Sequence, residues 1–76
     1  SDIFIEDGKD KILVYIEQPT EDVFFYATCV LPDYSWHDVN GFSDSQIEKF
    51  QNFIEKGVHV IYKFARQGGF GNAANF

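Results

Sequence analysis

The chain has 76 residues, a formal charge of −6, and 45% hydrophobic and 18% aromatic residues. That length makes one domain near the lower limit for unaided folding, burying only about 60% of its unfolded surface. A single cysteine, Cys29, excludes an internal disulfide and suits a reducing, cytoplasmic setting.

The nine Phe, four Tyr and one Trp compensate for the short length, each buried ring removing roughly 150–250 Å² from water. No apolar run approaches the ~20 residues of a membrane span and no basic-then-apolar leader is present, so no membrane partner is expected. The chain lacks Met, so Ser1 is expected to be a processed or truncated start with residues before it, and an accessory domain of a larger chain is one reading. Charge is uneven. Residues 1–44 hold ten acids against Lys9 and Lys11, whereas residues 45–76 hold Glu48 and Glu55 against Lys49, Lys56, Lys63 and Arg66. Lys and Arg do not cluster, so direct nucleic-acid binding is not expected. The acidic balance suits a basic partner, or simply solubility.

Ile3 and Ile5 share one face of a first strand and Phe4 lies on the other. Asp7-Gly8 is a hairpin dipeptide favoured where both turn residues need positive φ. Ile12, Val14 and Ile16 then alternate with Leu13 and Tyr15, and Pro19 presets a second turn. The most β-prone stretch, "VFFYATCVL", puts Val23, Phe25, Ala27, Cys29 and Leu31 on one face and Phe24, Tyr26, Thr28 and Val30 on the other; Pro32 closes it. Residues 33–42, with Tyr34, Trp36, His37 and Asp38, read as a loop. Ser43 followed by Gln46 is a capping box, with Phe42 and Ile47 as a hydrophobic staple and Asp44 in the first turn. Ile47, Phe50, Phe53 and Ile54 recur at helical spacing. Gly57 has the position of a left-handed cap, and Val58, Val60, Tyr62 and Phe64 alternate, so residues 58–65 read as a fourth strand. One continuous helix over 43–66 competes, with Val58, Ile61 and Ala65 extending the apolar stripe. The expected fold is α+β: an antiparallel three-stranded meander, one amphipathic helix and a fourth strand, in the order β-β-β-α-β. Residues 1–66 form the domain and 67–76 a Gly/Asn-rich tail, expected to fray.

A helix of about four turns covers only one face of such a sheet, and a solvated second face normally reads polar at alternate positions. Here either face is apolar. An exposed patch of that breadth exceeds the few hundred Å² usual for a monomer. Its cover is the Trp36 loop and tail folding back, a second copy forming a homodimer, or another protein.

Catalytic chemistry is thinly supported. Cys29 falls mid-strand, whereas a reactive thiol needs an electropositive, partly exposed setting. His37 and His59 lack the paired short spacings of a zinc site, and "GGFGNA" has too few residues after it for the helix a phosphate loop needs. No catalytic residue, metal or cofactor is assigned. The expected function is a small acidic, non-catalytic interaction or regulatory protein. It would self-associate or bind a protein partner through Tyr15 and Tyr26 on the sheet and Tyr34, Trp36 and His37 in the loop. A small-ligand binder or minor enzyme using His37–Asp38 is the alternative.

Overall fold

The computed structural model describes residues 2–67. The tail expected over 67–76, and any cover it supplies to the sheet, therefore lie outside the described residues apart from Gln67. Four strands precede one helix: β1 Asp2–Asp7, β2 Ile12–Pro19, β3 Phe24–Leu31, β4 Ser35–Asn40 and α1 Asp44–Arg66. The strands form an antiparallel meander in the spatial order β1-β2-β3-β4, with the helix against one face. The α+β class and the meander are as expected, but the element order is β-β-β-β-α.

Both corrections to that order have physical causes. Residues 33–42 were expected as a loop, yet Ser35–Asn40 pairs with β3, Trp36 opposite Cys29 and His37 opposite Thr28. The strand sits at the sheet edge and is largely exposed, so its composition is polar and lacks the alternation that marks a half-buried strand. An irregularity falls between the Thr28–His37 and Tyr26–Asn40 pairs, where Asp38 adopts φ 55°. An unpaired residue of this kind bends a strand edge and discourages further pairing. Residues 58–65, expected as the fourth strand, instead belong to the last turns of α1, which runs on to Arg66. Their β-branched residues serve the helix stripe: Ile54, Ile61 and Ala65 are buried, with Val58 and Tyr62 packed beside them. A helix stopping at Gly57 would leave uncovered the end of the sheet where Ile12 pairs with Leu31.

The inner face of the sheet is the one read from the alternation. Ile3, Ile5, Ile12, Val14, Ile16, Ala27, Cys29 and Leu31 are buried against the helix, and Phe25 packs at their margin. Pairs such as Ile3–Ile16, Ile5–Val14 and Val14–Cys29 bring their side chains close across neighbouring strands. The helix starts as its sequence dictates. The Gln46 amide donates to Ser43 Oγ at 3.2 Å and the Ser43 amide donates to Gln46 Oε1 at 2.9 Å, completing the box. Phe42, buried, sets its ring edge-on to Phe25 at 5.6 Å and to Phe50 at 4.9 Å, locking the helix entry onto the start of β3. Asp44 in the first turn and Lys63 and Arg66 in the last oppose the helix dipole's ends.

The first turn differs from the two-residue type that Asp7-Gly8 suggests. Asp7 still pairs with Ile12, leaving Gly8–Lys11 as the loop. The Gly8 amide donates to the Lys11 carbonyl at 2.7 Å and the Lys9 amide to Asp7 Oδ1 at 2.9 Å. The left-handed residue is Lys9, at φ 73°, so the hydrogen bond that its amide donates to the Asp7 carboxylate stabilises a conformation that glycine was expected to supply.

Two glycines make opposite predictions. Gly41 sits at φ 89°, and a Cβ there would overlap the Phe25 ring, so Gly41→Ala should lower stability by about 1–3 kcal/mol. Gly57 lies inside the helix, so Gly57→Ala should raise it by up to about 1 kcal/mol. Urea midpoints at constant m-value measure both, and a fall for Gly57→Ala would contradict a continuous helix.

Candidate functional site

Strand alternation places Phe4, Glu6, Leu13, Tyr15, Glu17, Phe24, Tyr26, Thr28, Val30 and His37 on the face of the sheet away from α1, as the pair registers show. Phe24 is 48% exposed and Tyr26 41%, and their rings lie 6.2 Å apart in a tilted arrangement. Val30 is buried, while Phe4, Leu13 and Tyr15 are half-buried. An open hollow of about 250 Å³ is lined by Phe4, Glu6, Tyr15 and Glu17, so aromatic walls and carboxylates border one concavity. The Tyr15 hydroxyl donates to Glu6 Oε1 at 3.5 Å. Burial, then the Glu6 charge and this hydrogen bond, raise the Tyr15 pKa above its ordinary value.

The electrostatics of this layer are one-sided. The four strands contain Asp2, Glu6, Asp7, Glu17 and Asp38 but neither Lys nor Arg. Every basic residue of the described chain stands in the β1–β2 loop or on the helix. A face that combines exposed aromatic area with carboxylates, and draws no Lys or Arg from its own strands, favours apolar and cationic groups from outside.

The five residues singled out from the sequence divide between the two faces. Tyr15, Tyr26 and His37 share the outer face. His37 is exposed, its Nε2 lying 3.2 Å from Ser35 Oγ. Tyr34 and Trp36 pack against the core on the helix side, so the picture of Trp36 plugging the open side of the sheet is corrected. The Trp36 Nε1–H donates to Gln51 Oε1 at 3.1 Å, and Gln51 Nε2 donates to Glu55 Oε2 at 3.2 Å. Burial, followed by the charge of Glu55, raises the Tyr34 pKa, which places that ring beside the same helix turn. Trp36 and Tyr34 thus fasten the edge strand β4 to α1. Sequence inspection missed the Trp36–Gln51 bond because it joins residues fifteen apart through an unrecognised strand.

Cys29 and His37 cannot meet as nucleophile and base, since Cys29 is buried on the inner face and His37 lies on the outer one, opposite Thr28. Burial pushes the Cys29 thiol up to about 12, the reverse of the activation a catalytic thiol requires. Among the described residues, no group of three His, Cys, Asp or Glu side chains is placed to hold a metal. No described helix is long and apolar enough to cross a membrane.

No family model, curated protein or solved structure matches the chain.

The Cys29 environment makes a measurable prediction. Native protein at pH 8 should resist alkylation by iodoacetamide, whereas urea-unfolded protein should react fully. The folded thiol pKa is raised, so its contribution to stability is complete below the ordinary value of 9.0 and is lost as pH climbs towards about 12. Rapid alkylation of the native protein would place Cys29 outside the core.

Proposed function

We propose that this chain is a small acidic, non-catalytic protein-interaction module whose outer sheet face docks a partner presenting apolar and cationic side chains. The observation supporting it is the exposed Phe24–Tyr26 pair on a sheet whose strands supply carboxylates and no Lys or Arg. Phe24, Tyr26 and Tyr15 offer aromatic area, with Tyr hydroxyls as polar tips. Glu6 and Glu17 supply the charge that selects a basic partner and speeds encounter with it. His37 borders this surface, while Tyr34 and Trp36 act from behind by holding β4 in place. The partner is another protein or a second copy. A reducing compartment such as the cytoplasm suits a fold that needs no disulfide.

A cationic amphipathic peptide of alternating Lys and Leu tests the face directly. Titrated into labelled protein, it should shift the amide resonances of Tyr15, Tyr26 and Thr28, and binding should weaken by about tenfold between low and high salt. Tyr26→Ser and Glu17→Lys should each weaken binding further without altering the circular dichroism spectrum. Shifts confined to α1, or affinity that is flat across salt, would defeat the proposal.

A further inference from the structure

The helix carries a surface of opposite character. Lys49, Lys56 and Lys63 recur every seven residues and are all exposed. Heptad spacing drifts only ~20° per repeat on a straight helix, so the three ammonium groups form one ridge. Beside it stand Phe53, 40% exposed, and Val60, 54% exposed, which with Lys56 and Gly57 line a shallow, mostly apolar hollow. From Lys49 to Lys63 the ridge extends roughly 21 Å, comparable with the roughly 26 Å of an eight-residue strand such as β2.

Building on the reading of the sheet face above, we infer that its occupant is a second copy of this chain, docked through the Lys49–Lys56–Lys63 ridge and Val60. Charge decides between the possible pairings. Two sheet faces stacked on each other would bring the Glu6 and Glu17 carboxylates of both copies into one layer, with no strand Lys or Arg among them. Two ridges packed together would oppose lysine to lysine. Only sheet against ridge joins unlike charges while covering apolar area on both sides. That contact uses a different patch on each copy, so it is heterologous and propagates into a ring or an open chain.

Charge exchange on the full-length chain tests this. Lys49→Glu/Lys56→Glu/Lys63→Glu makes both surfaces acidic, and Glu6→Lys/Glu17→Lys makes both basic. Light-scattering mass against concentration should show the natural chain growing beyond a dimer, with association weakened about tenfold or more by high salt. Each variant alone should remain monomeric, and an equimolar mixture of the two should assemble again. Glutamine versions at the same positions serve if a charge-reversed chain fails to fold; they too should abolish assembly singly. A natural chain that stays monomeric at every concentration, a closed dimer, or a ridge variant that still assembles would each overturn the inference. So would a monomeric chain whose ridge binds anionic vesicles. If the Lys/Leu peptide still binds the sheet face of a monomeric chain, the interaction module survives and only its self-partnering falls.

Discussion

Everything in this molecule depends on one long helix lying across a sheet that has two apolar faces. Ile54, Ile61 and Ala65 enter the inner face, and burying these side chains with the isoleucines of β1 and β2 is the main term holding the fold together, at about 25 cal/mol per Å² removed from water. A helix is only about 10–12 Å across, whereas four strands spaced about 4.8 Å apart make a broader layer. Side chains at the margin therefore complete the seal. Phe25, Phe42 and Phe50 close one end, and Tyr34 and Trp36 close the β4 side.

The same arrangement confines functional character to the remaining surfaces. The inner face absorbs the sole thiol and both of the aromatic residues that looked most like recognition elements. What remains outside is an acidic and aromatic sheet face and, on a helix that also exposes Asp44, Glu48 and Glu55, a ridge of Lys49, Lys56 and Lys63 beside Phe53 and Val60. Sorting of this kind costs some stability, because cations placed among the strand carboxylates would relieve their mutual repulsion.

Local chemistry made some elements readable from sequence. Ile3, Ile5, Ile12, Val14 and Ile16 alternate strictly, and Ser43 and Gln46 form a reciprocal cap, so β1, β2 and the start of α1 followed from nearest-neighbour rules. The outer-face set of Phe4, Leu13, Tyr15, Phe24, Tyr26 and Val30 followed from the same alternation. β4 was not readable, because an edge strand with one neighbour and a bulge at Asp38 carries no hydrophobic period. The end of α1 was ambiguous because Val58, Val60, Tyr62 and Phe64 satisfy a two-residue period while Val58, Ile61 and Ala65 satisfy a helical one. Position Gly57 allowed either.

By itself, the sequence determined the class, the meander of the first three strands, the helix start and the surplus of apolar sheet surface, since each of these is written in spacings of two to four residues. Tertiary structure alone decided that Ser35–Asn40 takes the fourth place in the sheet and that the helix runs on to Arg66. With that place filled by β4, the residues after Gly57 gain more by covering Ile12 and Leu31 as helix than by pairing as strand. Tertiary structure also decided which aromatic residues meet solvent, because Trp36 and Tyr34 turn inward only once β4 is paired beside Cys29.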